Sequence, residues 1–572
     1  MHSDKARKRF QVVLIKSSHY DDDGYVIQWA KTLVPANSLA CMYGLTLDVG
    51  ERNVLGDDVE LVISAYDESN IRIPIKKIIT DIQSAEAGGF VGFAGVQSNQ
   101  FPRAMDVARK LRDAGIQVCF GGFHVSGCMA MLAELPPDIQ EAKDIGISLF
   151  IGEAEGRIDE VFLDAYAGSL KPVYNYISDL PSIESTAIPF MPAKLLKRSV
   201  NSFASFDAGR GCPFICSFCT IINVQGRKSR RRSVASIEKI IHMNAEQGIR
   251  YYFITDDNFA RNRDWEIIFD RLIEMRENEG VEIHLTLQVD TMCHRIKGFV
   301  EKAARAGTNQ VFIGLEAINQ DNLKAAKKGQ NNIQEYKKLL QAWRDVHVMT
   351  VAGYIIGFPT DTPERILADV KTIQQELPVD LLYFSCLTPL PGSMDHKILH
   401  EKGIWMDPDM NKYDLCHVTA EHEIMSRDEW QGLYDAACLA YYSDEHIETI
   451  MRRAYVGKTG ISKVTFMAWW FHYCYNYEHI HPVEGGYFRK KYRRDRRPSL
   501  PMENPFIFYP RRLAEIVHSH YTMLSYHFKY NAIKKRIFAD PEAADYIDNA
   551  IRPVPEEKTA KAKASVEEAS LA

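Results

Sequence analysis

The sequence lacks the segments that direct a chain into or across a membrane. Its first residues, MHSDKARKRF, are basic, but the apolar run FQVVLI that follows is too short for the core of a signal peptide. No apolar stretch reaches the roughly 18 residues that a transmembrane helix requires. We therefore expect a cytoplasmic protein.

The sequence also lacks a large excess of charge and a high density of cysteines. Lysine and arginine number 69 against 75 aspartates and glutamates, so the net charge of −6 provides no field that attracts nucleic acid. The basic stretch RKSRRRS (227–233) has no aromatic stacking motif, and we expect no nucleic-acid partner. Eleven cysteines among 572 residues are too few for a disulfide scaffold, and their one tight cluster indicates ligation in a reducing cytosol.

Short apolar runs alternate with helical patterns over the first 170 residues. The runs that predict strands are FQVVLI (10–15), VELVISAY (59–66), GGFVGFAGV (88–96), IQVCFGG (116–122) and ISLFIGE (147–153). FPRAMDVARKLRDAG (101–115) has apolar residues at helical spacing and a glycine stop. The alternation predicts an α/β fold with a doubly wound, Rossmann-like parallel sheet in residues 1–170, and such sheets bind ligands beyond the carboxyl ends of their strands.

A second α/β series follows a weakly periodic segment, 171–200, that has the proline and serine content of a linker. Six strand patterns predict a partial (β/α)6 barrel over 201–430; they are SFASFDAGRG (202–211), RYYFITD (250–256), IHLTLQVD (283–290), NQVFIGLE (309–316), MTVAGYIIGFP (349–359) and VDLLYFSCLTP (379–389). We expect a helical, aromatic-rich domain over 431–550 and a disordered tail over 551–572, which lacks aromatic residues.

Three cysteines follow the first barrel strand in the motif C-x3-C-x2-C, as Cys212, Cys216 and Cys219. Three thiolates bind three irons of a [4Fe–4S] cube and leave the fourth iron open to a small molecule. Open coordination distinguishes catalytic from structural metal sites. A zinc site, which needs a fourth protein ligand, and three unligated cysteines are the alternatives.

The motif, with the aromatic Phe218 before its last cysteine, resembles the radical S-adenosylmethionine (SAM) superfamily over residues 200–400. The resemblance implies that SAM binds the open iron and is cleaved reductively to a 5′-deoxyadenosyl radical, with a reduced flavodoxin- or ferredoxin-type protein as electron donor. Polar residues after the later strands occupy positions where the family holds SAM; they are Asp256, Asp257, Asn258, Gln288 and Glu316. Barrel chemistry concentrates at such strand ends.

A doubly wound domain before the barrel resembles the cobalamin-binding class of this superfamily. The strand-end loops GVQSN (95–99), GGFHVSG (121–127) and GEAEG (152–156) imply contacts to cobalamin from Gln97, Ser98, Gly121, Gly122, His124 and Glu153. The motif D-x-H-x-x-G, which places a histidine on cobalt, is broken, because Ser17 and Asp22 flank His19 where Asp and Gly belong. We therefore expect no bond between His19 and cobalt. A flavin or nucleotide is the rival ligand, but no G-x-G-x-x-G follows the first strand.

The C-terminal region indicates the class of substrate. VTFMAWWFHYCYNY (464–477) is dense in aromatics and RKKYRRDRRP (489–498) is basic. A buried helix with a solvated basic face accounts for both, but aromatics beside a basic run also occur at membrane surfaces. We expect a hydrophobic or lipid-like substrate, and contact of 464–498 with the inner face of a membrane is the accompanying hypothesis.

The resemblance thus predicts a cobalamin-dependent radical SAM methyltransferase that acts on an unactivated carbon. Two alternatives stay open: a cyclase or oxidoreductase with the same cofactors and no methyl transfer, and a non-catalytic cobalamin or redox sensor. The residues identify neither the substrate nor a general acid or base.

Overall fold

The structure is a computed structural model that describes residues 7–325 and 333–554. The tail expected to be disordered lies outside the described residues from position 555 onward.

A six-stranded parallel sheet forms the N-terminal domain. The first seven strands of the chain are β1 (Lys8–Lys16), β2 (Gln28–Thr32), β3 (Val59–Asp67), β4 (Gly89–Phe93), β5 (Gln117–Gly121), β6 (Ser148–Ile151) and β7 (Val173–Asn175). All but β2 join the sheet, in the order β3-β1-β4-β5-β6-β7. β1 is an interior strand, and its residues 10–15 are buried because helices cover both faces of the sheet. The order reverses between β1 and β4, where a doubly wound sheet opens a crevice.

Six helices cover this sheet, and α3 coincides with the helix predicted from spacing. They are α1 (Asn37–Glu51), α2 (Ile75–Gln83), α3 (Phe101–Asp113), α4 (Phe123–Met131), α5 (Pro137–Asp144) and α6 (Ile158–Tyr166). The predicted α/β class and its doubly wound N-terminal domain are confirmed. One detail differs, because β7 lies within the predicted linker and completes the sheet by pairing with β6.

The second domain is an open parallel barrel. Its strands are β8 (Ala204–Phe206), β9 (Gly209–Arg210), β10 (Arg230–Arg231), β11 (Tyr251–Ile254), β12 (His284–Val289), β13 (Thr308–Glu316), β14 (Met349–Ile356) and β15 (Leu381–Cys386). Six of them form the barrel in the order β15-β14-β13-β12-β11-β8, while β9 and β10 form a separate antiparallel pair. The predicted partial (β/α)6 barrel is confirmed, strand by strand.

Helices of the barrel domain surround these strands and connect them. They are α7 (Ala193–Leu196), α8 (Ile221–Val224), α9 (Val234–Glu246), α10 (Trp265–Glu277), α11 (Phe299–Arg305), α12 (Gln320–Ala325), α13 (Ile333–Asp345), α14 (Pro363–Glu376) and α15 (Met394–Glu401). Ser233 caps α9 by accepting a hydrogen bond from the Ser236 amide, which fixes where the helix begins.

Four helices make up most of the C-terminal region: α16 (Arg427–Tyr441), α17 (Asp444–Gly457), α18 (Ile461–Tyr473) and α19 (Pro505–Ala539). The region also holds β16 (Gly486–Lys490), which pairs with β2 in antiparallel register. This pair ties the C-terminal region to the N-terminal domain. Among the described residues, no helix combines the length and the apolar character needed to cross a bilayer.

The expected membrane contact through 464–498 does not match the burial of this segment. α18 lies in the core, where Trp470, Phe471 and Tyr473 are almost inaccessible to solvent. The basic run forms ion pairs with acidic residues of other segments, such as Arg489 with Asp21 at 2.9 Å and Arg497 with Asp409 at 2.6 Å. These aromatic side chains and these two arginines thus pack or pair within the protein.

Candidate active site at the cysteine loop

The three cysteines lie on the loop that joins β9 to α8. Gly211 begins the loop with φ of +89°, and a Cβ there would lie 2.5 Å from the Lys228 carbonyl oxygen, so only glycine fits. The Cys212 amide donates to the Gly226 carbonyl at 3.3 Å, and the Cys219 amide donates to the Cys216 carbonyl at 3.2 Å. The backbone itself therefore shapes the loop.

The thiols fit an iron–sulfur cube better than a single ion. Burial, together with the nearby Asp257, Cys216 and Cys212, raises the pKa of Cys219 to about 12. Within residues 7–325 and 333–554, no three His, Cys, Asp or Glu side chains form a group that could hold one metal ion. In a cube each thiolate binds a different iron, so its ligands need not converge on one point. His242, the first histidine after the motif, faces Glu238 on α9 at 3.7 Å.

The far side of the cysteine loop rests on the end of the barrel. The Ser217 carbonyl accepts hydrogen bonds from the amides of Met394 and Asp395 at 3.0 and 3.2 Å. The Arg261 guanidinium lies 5.6 Å from the centre of the Phe214 ring. These contacts hold the loop over the carboxyl ends of the barrel strands, where such barrels carry their chemistry.

Asp256 follows β11 but directs its carboxylate toward the backbone. Its Oδ1 accepts hydrogen bonds from the amides of Ala208 and Gly209 at 2.7 and 2.9 Å, and Asn262 donates to Oδ2 at 3.3 Å. Burial raises its pKa to about 7. These contacts connect β11 to the strand that leads into the cysteine loop.

The neighbours of Asp256 occupy different environments. Asp257 is near Cys219 and lines a cavity between the two domains, and burial raises its pKa to about 6. Asn258 donates to Asp290 at 3.0 Å, while its buried Oδ1 has no hydrogen-bond partner among the residues that the structure describes. A buried polar atom without a partner is uncommon in a folded protein, so this amide oxygen is available to a ligand.

Gln288 and Glu316 come together in the barrel lumen. Gln288 donates to the Asp256 carbonyl at 3.3 Å, and both side chains line the lumen. Glu316 has φ of +68°, at a point where the pairing of β13 with β14 shifts register. Bulges of this kind often redirect a side chain next to an active site.

A cavity of about 410 Å³ lies between the crevice of the N-terminal sheet and the cysteine loop. Gln97, Gly121, Gly122 and Glu153 line it from the N-terminal domain, as the strand-end loops predict. Asp207, Arg210, Ile221 and Asp257 line it from the barrel. A Cβ at Gly122 would lie 2.2 Å from the Val96 amide nitrogen, and one at Gly152 would lie 3.0 Å from the Tyr176 backbone, so these glycines let the loops after β5 and β6 pack closely. The cavity lies at the carboxyl ends of the strands, where doubly wound sheets bind their ligands.

Ser98 and His124, two further predicted cobalamin contacts, do not line this cavity. The His124 Nδ1 lies 3.1 Å from Ser98 Oγ, and its Nε2 lies 2.9 Å from Asp138 Oδ2. The ring also packs on Phe101, at 4.4 Å between centroids. His124 is buried within the domain with both nitrogens occupied, so the structure places it and Ser98 away from the crevice.

His19 also lies outside the cavity. Its Nε2 is 3.4 Å from a carboxylate oxygen of Glu484, and no histidine lines the described walls of the crevice. That no bond forms between His19 and cobalt stays a prediction from the broken D-x-H-x-x-G motif.

A buried charge network that the sequence analysis missed joins the two domains beside the crevice. Arg210 donates to Glu153 at 2.7 Å, to Glu155 at 2.6 Å and to Asp207 at 2.9 Å. Burial would raise the pKa of Asp207, but Arg210 and Arg232 hold it at about 2. The only sequence signal was the position of Arg210 next to the cysteine motif. Glu153 therefore binds arginine at the edge of the cavity.

The barrel lumen is a second, larger cavity of about 870 Å³. Aromatic and aliphatic side chains make up most of its wall, among them Phe253, Phe312, Tyr383 and Met467. Lys463 of α18 also lines it and donates to Asn309 Oδ1 at 2.7 Å, and burial lowers the pKa of this lysine to about 7. The volume lies toward the upper end of ligand cavities, which run to roughly 1,000 Å³.

The sequence matches known families in the region of this site. Residues 208–373 match the model of the radical SAM superfamily. A bacteriochlorophyllide d C-8(2)-methyltransferase of Chlorobaculum tepidum is 26% identical over 390 residues, which are 64% of this chain and 80% of that protein. A hopanoid C-2 methylase of Rhodopseudomonas palustris is 26% identical over 341 residues, covering 58% of this chain and 62% of that protein.

A more distant relative has another activity. An anaerobic magnesium-protoporphyrin IX monomethyl ester cyclase of Cereibacter sphaeroides is 27% identical over 189 residues, covering 32% of this chain and 30% of that protein. The chain therefore spans less than two thirds of the hopanoid methylase and of the cyclase.

Solved structures share the whole architecture. The radical SAM methyltransferase TsrM of Kitasatospora setae, with cobalamin and a [4Fe–4S] cluster bound, superposes with a TM-score of 0.54 at 17% identity over 77% of this chain and 86% of TsrM. The cobalamin-dependent SAM radical enzyme OxsB, with aqua-cobalamin bound, gives 0.52 at 13% identity over 98% of this chain and 84% of OxsB. The chain is a radical SAM enzyme with the fold of the superfamily's cobalamin-dependent members.

Proposed function

We propose that this enzyme is a cobalamin-dependent methyltransferase that acts on an unactivated carbon of a large hydrophobic substrate. In this proposal the substrate occupies the barrel lumen and cobalamin occupies the crevice of the N-terminal sheet. The methyltransferase relatives support the reaction type. Because their sequence identity to this chain is low, the substrate is argued from the site instead.

One observation carries the proposal: the cysteine loop separates two cavities. Phe218, directly before Cys219, lines the lumen, and Ile221, two residues after it, lines the crevice. A radical generated at this loop would thus arise between a substrate on one side and a methyl donor on the other. Short separation and fixed orientation favour reaction over escape of a radical.

Each part of the chain has a task in this arrangement. Cys212, Cys216 and Cys219 would hold the cluster, while Asp257, Asn258, Gln288 and Glu316 are candidates to hold SAM. When bound, the cluster and SAM supply a 5′-deoxyadenosyl radical and cobalamin supplies a methyl group. Gln97, Gly121 and Gly122 would position the corrin, while Glu153, held by Arg210, would border it. Asp256 would act by keeping the strand before the cysteine loop in place.

The wall of the lumen supports a hydrophobic substrate. Phe253, Phe312 and Tyr383 provide a wide apolar surface, which gains most from burying a molecule of similar character. The apolar wall also excludes water, which would otherwise surround the reacting groups. Bacteriochlorophyllide and hopanoid, named for two relatives, are both large molecules with extensive hydrocarbon surface.

A cyclase or oxidoreductase with the same cofactors is the second candidate. The cyclase relative from Cereibacter sphaeroides supports it, although the match covers only 32% of this chain. A third candidate, a cobalamin or redox sensor, has no relative among the matches described above.

The products of SAM distinguish these functions. Reconstituted enzyme is incubated without oxygen with SAM carrying a deuterated methyl group, cobalamin, a reductant and a lipid extract. A methyltransferase yields S-adenosylhomocysteine, 5′-deoxyadenosine and a product that carries the deuterated methyl group. A cyclase yields 5′-deoxyadenosine without label transfer, and a sensor yields neither nucleoside product. Replacing the chemical reductant by reduced flavodoxin or ferredoxin tests the proposed electron donor.

A further inference from the structure

Within the part of the chain that the structure describes, no other segment covers a row of large apolar side chains on helix α19. The row, which we call the apolar stripe, consists of Phe506, Leu513, Val517, Tyr521, Leu524 and Phe528. Each side chain is 55–87% exposed. Spacings of three, four and seven residues place all six on one face of the helix. Contiguous exposed apolar surface of this kind marks an interaction site.

The opposite face of α19 packs against the rest of the protein. The apolar stripe is therefore exposed on a helix that is held in place. Trp469 Nε1 donates to the Met523 carbonyl at 3.1 Å, and Tyr473 bonds to Ser519 at 2.6 Å. Near the start of the helix, Phe508 packs on Tyr25 of the N-terminal domain at 5.4 Å. The helix is anchored along its length and holds the stripe outward.

The charges of α19 are almost all of one sign. The helix contains six basic residues, Arg511, Arg512, Lys529, Lys534, Lys535 and Arg536, and one acidic residue, Glu515. Four of the basic residues form ion pairs within the protein: Arg511 with Glu503 at 2.8 Å, Arg512 with Glu515 at 3.0 Å, Lys529 with Asp444 at 2.5 Å and Arg536 with Glu448 at 2.7 Å. Lys534 and Lys535 therefore supply the basic charge at the C-terminal end of the helix. Lys535 lies on the line of the stripe at its C-terminal end. An apolar face with basic flanks is the pattern of helices that lie in the headgroup region of anionic membranes.

The same charges disfavour a second copy of this chain as the occupant. Two stripes packed against each other would offer Lys534 and Lys535 no acidic partner on the second helix, because Glu515, its one acidic residue, already pairs with Arg512. Paired helices instead carry complementary charges at the edges of their seam. An anionic lipid surface complements both the apolar stripe and the basic flank.

We propose that α19 docks the enzyme on an anionic phospholipid surface, with the apolar stripe inserted among the headgroups. This inference does not depend on the proposed methyl transfer. It assigns membrane contact to residues 506–535, whereas the sequence pattern had suggested 464–498.

Vesicle flotation of the full-length enzyme tests the proposal. The vesicles are phosphatidylcholine alone, or phosphatidylcholine with roughly 30% phosphatidylglycerol as the anionic lipid. The test variant is Leu513→Gln/Val517→Gln/Leu524→Gln. The matched control is Ile267→Gln/Ile424→Gln/Leu439→Gln, which changes three apolar side chains of 53–56% exposure elsewhere on the molecule.

We expect the wild type and the control to float with anionic vesicles and the stripe variant to bind at least tenfold more weakly. A second variant, Lys534→Gln/Lys535→Gln, should lose affinity for anionic vesicles only. Unchanged thermal unfolding of the stripe variant shows that it is folded.

Three outcomes overturn the proposal. The first is a wild type that does not float, and the second is a stripe variant that binds as well as the control. The third is a wild-type dimer, measured by light scattering without lipid, that the stripe variant converts to a monomer while vesicles are not bound. Equal binding to neutral and anionic vesicles would overturn the assignment of an anionic surface.

Discussion

Among single residues, Cys216 is the ligand whose removal tests the cluster assignment most directly, because it is buried in the middle of the motif. Cys216→Ala should lose the visible absorbance of the cluster, most of the bound iron and all SAM cleavage, since two thiolates do not hold a cube stably. Iron analysis and 5′-deoxyadenosine formation measure the loss. Cys438→Ala, a buried cysteine of α16, is the control and should retain both. Full cleavage activity in Cys216→Ala would refute the assignment.

Arg210 is a second residue whose replacement should change the stability of the protein by a predictable amount. Arg210→Met leaves Glu155 and Asp207 buried without their main partner, so we expect a loss of about 3–5 kcal/mol in unfolding free energy. Arg52→Met is the control, because Arg52 pairs with Asp159 at the surface and such pairs contribute at most about 1 kcal/mol. Chemical denaturation of both variants measures the difference. If Arg210→Met and Arg52→Met lost equal amounts of unfolding free energy, the buried network around Arg210 would not stabilise the contact between the domains.

At the scale of elements, the cysteine loop depends on glycine. Gly211→Ala should reduce the iron content of the enzyme, because the new Cβ meets the Lys228 carbonyl and displaces the loop. Gly248→Ala has a similar φ of +78° and no atom within 4 Å of the added Cβ. Gly248→Ala is therefore destabilised only by its left-handed backbone, by roughly 1–2 kcal/mol, and this control variant should bind iron normally. Similar iron contents in both variants would contradict this account.

The sequence predicted the elements whose residue pattern lies within one short stretch of the chain. Each barrel strand is an apolar run between turns, and the structure places six strands where the runs lie, from β8 (Ala204–Phe206) to β15 (Leu381–Cys386). β7 was missed because it lies in a weakly periodic segment that has the composition of a linker. β2 and β16 were missed because they pair across more than 450 positions of sequence. The aromatic density of α18 was visible, but whether it faced a membrane or the core depended on α19, which packs against it.

At the scale of the whole molecule, His417 links the N-terminal domain to the segment after the barrel. Its Nε2 lies 3.2 Å from Asp22 and its Nδ1 lies 2.8 Å from Asp414. Burial would lower the pKa of His417, but the two carboxylates raise it to about 10.

This raised pKa predicts a pH dependence of stability. The folded protein keeps a proton that the unfolded chain releases near pH 6.5, so the contribution is complete below that pH and is lost as the pH rises toward 10. Thermal unfolding of the wild type and His417→Gln, measured from pH 6 to pH 10, should therefore converge at the alkaline end. A difference that grows with pH would contradict the prediction.

The sequence by itself determined the order of strands and helices, and it predicted the three cysteine ligands and the strand ends where a site belongs. These are local properties, set by residue type and spacing along the chain. Only the tertiary structure decided which polar side chains remain available there. Ser98 and His124 bond to each other, Glu153 binds Arg210, and Asp256 holds backbone amides. Their partners lie up to 57 positions away, because buried polar groups are satisfied by whatever the fold brings near.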